Sequence, residues 1–267
     1  MIIDFHTHIF PDKIAAKTIA ALSEAADVKA ATDGTLSGLM QSMNHNGVDI
    51  SVIQPVVTKP DQFDSINEFA AYVNTKYEGR LISFGGIHPD CEDYKAKLDR
   101  IKELGLKGIK LHPDYQSFFV DDDRMFRIYE TVNKLGLLLT FHAGVDIGVP
   151  DPVHCTPQRL KNILPMFDNT NIIAAHFGGY LLWDEVEELL VGEKNLYIDT
   201  SFCHTRMPPL WAKRIIEKHG ADKILLGSDL PWSAPDKEME FIKSLGLSDD
   251  VLADIFGNNA ARLLGLE

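Results

Sequence analysis

Five apolar runs in this chain end in a residue that can bind a metal ion or move a proton. Ile2–His8 closes with His6 and His8, Leu137–His142 with His142, Ile172–His176 with His176, and Ile224–Asp229 with Asp229. Gly108–His112 carries Lys110 and His112 near its end. His6 and His8 stand two residues apart, so on a strand both side chains leave the same side. Imidazole nitrogens combined with a carboxylate oxygen suit Zn²⁺ and related divalent ions. Taken singly, a histidine at a strand end is ordinary structural chemistry, and Asp229 in Gly-Ser-Asp-Leu-Pro could cap a helix. Four separate strand ends each closing on such a residue point instead to convergence on one ion.

Convergence needs a scaffold that gathers strand ends. Three further short runs, Ile50–Val57, Leu81–His88 and Leu196–Thr200, bring the expected strands to eight. Their continuous aliphatic character is that of parallel strands covered on both faces. Between them lie amphipathic helix patterns. Asp61–Glu78 places Phe63, Ile66, Phe69, Ala70 and Val73 on one face, and Asp123–Leu135 does the same with Phe126, Tyr129, Val132 and Leu135. Gly136 reads as the residue closing that second helix, and Thr156-Pro157 as an N-cap followed by proline in the first turn. Alternating strand and helix implies right-handed crossovers. The expected fold is an α/β (β/α)8 TIM barrel occupying residues 1–267 as one domain, with an open doubly wound sheet as the alternative. Pro11 to Asn46 is expected to form two helices beside the barrel mouth. Gly144–Thr156 and Pro113–Asp123 are expected to be loops at the chemically active rim, where a barrel keeps its catalytic groups. Ser248–Glu267 is expected to close the fold with one or two short helices.

Composition sets limits. With 45% hydrophobic and 24% charged residues the chain is ordinary for a globular protein. A net charge of −13 argues against a partner bound through neutralised phosphates, such as duplex DNA. Cys91, Cys155 and Cys203 form no CxxC spacing and read as reduced thiols. Neither a signal peptide nor a membrane-length apolar run is visible, so a cytoplasmic location is expected. Expected partners are a small-molecule substrate, without nucleic acid or membrane, and a homodimer is the assembly left open.

The motifs Asp4-Phe5-His6-Thr7-His8, Phe141-His142-Ala143-Gly144, Ala175-His176-Phe177-Gly178-Gly179 and Gly227-Ser228-Asp229-Leu230-Pro231-Trp232 together resemble the amidohydrolase superfamily. The resemblance is to the branch of metal-dependent hydrolases that includes aminocarboxymuconate semialdehyde decarboxylase. Gly257–Leu263 is similar to that branch's tail helix. The resemblance implies that His6, His8, His142 and Asp229 hold one divalent metal, zinc as first choice, with His176 beside it as an acid/base or polarising residue. Lys110 departs from the one-metal pattern. It occupies the place where two-metal members carry a carboxylated lysine, which would bridge a second ion held by His142 and His176; the alternative is a substrate-binding ammonium.

Two reactions follow as expectations. The first is hydrolysis of a small amide, cyclic amide or lactone by a metal-activated water, with Asp229 moving the proton and His176 stabilising the oxyanion. The second is non-oxidative decarboxylation of an aromatic or unsaturated acid, with Lys110, Arg124 or Arg206 as the cation facing the carboxylate. His112, Tyr115 and Trp232 are expected to contact substrate, and His88, His154, Thr200 and His204 to stand near the pocket. His45 and His219 are expected at the surface, and Trp183 and Trp211 in helix-packing positions.

Overall fold

The computed structural model describes residues 1–266. Parallel strands run in sequence order around a ring: β1 (Ile3–Thr7), β2 (Ile50–Ile53), β3 (Leu81–Ser83), β4 (Gly85–Gly86), β5 (Gly108–Leu111), β6 (Leu138–Phe141), β7 (Ile172–Ala174), β8 (Leu196–Asp199) and β9 (Ile224–Leu225). β3 and β4 are two halves of one barrel strand interrupted at Phe84, whose N–H donates to Ile53 O at 2.9 Å. The ring closes between β1 and the segment after β9. Phe5 N–H donates to Leu226 O at 2.7 Å, Asp229 N–H to His6 O at 2.8 Å and His8 N–H to Leu230 O at 2.6 Å. The architecture is a (β/α)8 TIM barrel.

The helices coat the ring. α1 (Asp12–Ala26) and α2 (Leu36–Asn46) follow β1, as the long gap there predicts. α3 (Phe63–Lys76), α4 (Tyr94–Glu103), α5 (Asp123–Leu135), α6 (Pro157–Ile163), α7 (Trp183–Leu189), α8 (Pro209–His219) and α9 (Pro235–Ser244) succeed them, and α10 (Asp249–Ala253) leads through a π turn into α11 (Asn259–Leu264). α5 has the bounds read from its periodicity and closes on Gly136 at φ 61°. Thr156 caps α6, its hydroxyl accepting from Arg159 N–H. Two expectations are corrected. Phe69 is 39% exposed because α3 turns it toward the barrel mouth rather than the core. His219 is buried, its ring bridging Gly192 N–H and Leu196 O beneath α8, because a helix end tucked against a strand needs a residue that both donates and accepts.

Two-residue alternation sorts each strand. Leu139 and Phe141 face outward into the large cluster shared with Ile128, Val132 and Leu160 of the helices. Leu138 lies in a smaller cluster with Ile173, Leu225 and Phe84 that fills the lower barrel. Stepping by two from Leu138 through Thr140 reaches His142, and from Leu225 through Gly227 reaches Asp229. The apolar plug and the polar rim are therefore successive layers of one interior. Cys91, Cys155 and Cys203 are free and buried.

Gly144, just past His142, has φ +84°, and a Cβ there would lie 2.0 Å from Tyr180 N. Gly144→Ala is expected to cost about 2–4 kcal/mol, a fall in Tm of roughly 5–15 °C in a chain of this size, as read by thermal melts.

Candidate metal centre

The centre starts at the closing seam. Asp4, buried on β1, accepts from Ser228 N–H at 2.9 Å and Ser228 Oγ–H at 2.6 Å, tying the first strand to the run that carries Asp229. Burial pushes the Asp4 carboxyl up to about 7, partly offset by these donors. Gly227 allows the close approach: a Cβ there would come within 2.9 Å of His6 Cβ. Asp229 itself adopts φ 65° and His176 φ 60°, left-handed conformations uncommon outside glycine. Such backbone concentrates at functional sites, where the surrounding structure enforces it.

Hydrogen-bond partners assign the tautomers. His6 Nδ1–H donates to Asp199 Oδ2 at 2.8 Å, and His8 Nδ1–H donates to the backbone oxygen of Gln54 at 2.8 Å. Both Nε2 atoms consequently carry no proton of their own, and they face each other at 3.1 Å, with the Lys110 ammonium donating to that of His6 at 3.2 Å. Asp229 Oδ1 stands 3.2 Å from His8 Nε2 and 3.5 Å from His6 Nε2. Three acceptors at such separations repel one another unless a cation lies among them. A tetrahedral ion with bonds of about 2.0–2.1 Å has ligand-to-ligand edges of about 3.3 Å, so the triangle fits a divalent metal. Burial, then the neighbouring Lys110, lowers His6 to about 4, keeping the ring neutral as a ligand must be. Burial opposes ionisation of Asp229, but the facing His8, His6 and His176 rings outweigh it and bring the carboxyl to about 2.

His142 and His176 lie alongside. His176 Nδ1–H donates to Ser201 O at 3.0 Å, so its Nε2 accepts from His142 Nδ1–H at 3.1 Å. That leaves His142 Nε2 deprotonated, buried and without a hydrogen-bond partner. A buried lone pair left open in this way is what a ligand to a metal or a polar substrate requires. Burial and the adjacent imidazoles hold His142 well below the usual histidine range. Its ligand atoms group within 4.8 Å with those of His112 and Asp146, whereas His6, His8 and Asp229 form the other such group. The rings of His112 and His142 stack at 4.2 Å, and Tyr115 stacks on His112 at 4.0 Å.

Lys110 is 1% exposed, its Nζ 3.2 Å from His6 Nε2, and burial brings it down to about 8. His6, His8, Lys110, His112, Tyr115, His142, His176, Asp229 and Trp232, the residues expected to bind metal, move protons or contact substrate, line one cavity of about 770 Å³ at this rim. His88, His154, Thr200 and His204 stand outside it: His154 pairs with Asp114 at 2.9 Å, His204 with Glu238 at 2.8 Å, and Thr200 bonds Gly227. Arg124 and Arg206 do not line it either; Arg124 pairs with Asp90. Sequence reading missed three residues. Asp199 orients His6 and also accepts from His176 N–H at 3.1 Å. Gln54 orients His8, and Asp146 faces His112 at 3.3 Å. Asp199 ends an apolar strand as Asp229 does, and that signal could have found it. Gln54 acts through its main chain and leaves no sequence signal.

A closed barrel gathering two histidines of its first strand and an aspartate of its last at the C-terminal rim defines a barrel with a candidate metal centre at the place such folds keep their chemistry. The chain belongs to the amidohydrolase family, whose model matches residues 3–266. It is 24% identical over 274 residues to 2-amino-3-carboxymuconate-6-semialdehyde decarboxylase of Dictyostelium discoideum, covering 85% of this chain and 76% of that one. Among solved structures it is similar to a TIM-barrel protein of Bordetella bronchiseptica (TM-score 0.82, 20% identity, 99% and 98% of the two chains). It is also similar to a dihydroxybenzoic acid decarboxylase of Polaromonas with bound manganese and 2-nitroresorcinol (TM-score 0.70, 15% identity, 99% and 97%). Among the described residues, no helix is long and apolar enough to cross a membrane.

Proposed function

We propose that this protein is a metal-dependent decarboxylase acting on a small carboxylic acid with an aromatic or unsaturated body. The observation that carries the reading is the buried Lys110 ammonium on the cavity floor beside the His6, His8 and Asp229 triangle, a double cationic seat for a carboxylate. The decarboxylase names of two relatives favour this reaction over hydrolysis of an amide or lactone, which the same residues could serve. His6, His8 and Asp229 would hold one divalent ion, zinc or manganese, with the open His142 Nε2 as the fourth donor. When bound, the ion would supply a Lewis acid for the substrate's oxygen atoms.

The chain's own groups do the rest. Lys110 seats the carboxylate. Asp229, ionised at rest, takes a proton from solvent and passes it to the carbon bearing the carboxylate. The carbon–carboxylate bond then breaks, its electron pair restores the π system, and CO2 leaves. His176, fixed between Ser201 O and His142, holds that imidazole in the tautomer whose Nε2 is bare. Metal-loaded protein is expected to release CO2 from members of a panel of aromatic and unsaturated acids and to leave amides and lactones intact, measured by a coupled CO2 assay and by chromatography. Turnover of a lactone or amide with no CO2 from any acid would replace this reading by the hydrolytic one.

A further inference from the structure

The cavity is chemically divided. Its floor gathers the histidines, Lys110 and Asp229, whereas its outer half is walled by Phe10, Ile14, Leu22, Val28, Ile66 and Phe69. α1 supplies much of that wall. Ile14, Thr18, Ala21 and Leu22 fall at i, i+4, i+7 and i+8, the apolar stripe of an amphipathic helix, yet Ala15 is the one residue of α1 that is fully buried. Ile14 remains 50% exposed and Phe69 across the opening 39%. A helix normally buries such a stripe against the core; here it faces the cavity and awaits a ligand.

Charge narrows the occupant. Among the described residues, Lys110 at the floor and Lys17, exposed on α1, are the only lysines or arginines lining the cavity, and no arginine lines it. A second carboxylate on the far end of a substrate would find one cation, the exposed Lys17, and would otherwise press against the aliphatic and aromatic side chains of the wall, where charge is poorly solvated. The volume of about 770 Å³ lies in the upper part of the range of roughly 300–1,000 Å³ usual for small-molecule sites. A lone ring with its carboxylate on the floor would leave the wall of α1 uncovered.

We propose that the substrate is a monocarboxylic acid with an extended apolar body, an alkyl- or aryl-substituted ring or chain, that lies along the Ile14–Leu22 stripe of α1 and against Ile66 and Phe69. The placement of its carboxylate at Lys110 rests on the decarboxylase reading; the apolar body does not.

The test is binding to metal-loaded protein, followed by calorimetry and by intrinsic tryptophan fluorescence, to which the cavity-lining Trp232 contributes, for 4-alkylbenzoates from methyl to hexyl and for the di-acid terephthalate. Affinity is expected to tighten about fourfold for each methylene that enters the wall, and terephthalate to bind at least tenfold more weakly than 4-butylbenzoate. Leu22→Trp, which narrows the channel, should cut the hexyl-to-methyl affinity ratio at least tenfold, and Ile14→Asp should lower it as well, with circular dichroism confirming that each variant folds. Should either variant fail to fold, the wild-type series still decides. A flat series, tighter binding of the di-acid, or no binding of any acid would overturn the inference. So would a dimer, seen by light scattering, that Ile14→Asp splits, because the stripe would then belong to a second copy. A steep series without CO2 release would uphold the apolar body while removing the decarboxylase reading, so the two fail separately.

Discussion

Asp229→Asn is expected to lower turnover by about three orders of magnitude while leaving part of the metal in place. The amide keeps an oxygen where Asp229 Oδ1 now faces His6 and His8, at 3.5 and 3.2 Å, so ligation survives in weakened form. What disappears is the carboxylate that His8 and the neighbouring imidazoles hold ionised, down to about 2, and with it the proton carrier. Positioned proton transfer contributes about 10²–10⁴ in rate. The check is kcat for CO2 release beside metal content by mass spectrometry. A variant that retains metal and a near-normal rate would move the proton transfer to another group. One that loses all metal would make Asp229 chiefly a ligand.

Asp199→Asn should produce the second-largest effect although Asp199 ligates nothing. Its Oδ2 accepts the His6 Nδ1 proton at 2.8 Å, and Oδ1 accepts from His176 N–H and Ser201 N–H. Burial works against ionisation of Asp199, but the adjacent His6 ring holds the carboxyl well below the usual range. An amide NH2 facing His6 Nδ1 would favour the opposite tautomer, placing a proton on the nitrogen that must stay bare. Metal affinity is expected to fall 10–100-fold, as for other outer partners of ligating histidines. A chelator competition titration reads this without any activity assay. The apo Tm should change little, because Oδ1 can still accept. Unchanged affinity would assign Asp199 a purely architectural role; loss of apo stability with normal affinity would say the same.

Much of this was legible because parallel barrel strands are plain aliphatic runs, and a hydrophilic residue at the end of each is conspicuous. His6, His8, Lys110, His112, His142, His176 and Asp229 were all placed at the correct rim on that rule. Sequence does not show where around the rim each side chain points. His142 was expected with His6, His8 and Asp229, while its ligand atoms group with His112 and Asp146; its inclusion as a fourth donor remains a proposal. That angular position depends on barrel stagger and on the left-handed turns at His176 and Asp229, neither of which leaves a periodic trace. Phe69 illustrates the same blindness in a helix. Its spacing is that of a core residue, and only the presence of α1 opposite converts that face into a cavity wall.

The clasp between Asp4 and Ser228 also dictates when the centre can exist. Two of its donors, His6 and His8, lie more than two hundred residues ahead of the third, Asp229, so a chain in which the Ser228 segment has not yet joined the first strand carries an incomplete chelator. Assembly of the full ligand set therefore waits on closure of the barrel, and a polypeptide truncated ahead of Ser228 lacks the carboxylate of the triangle.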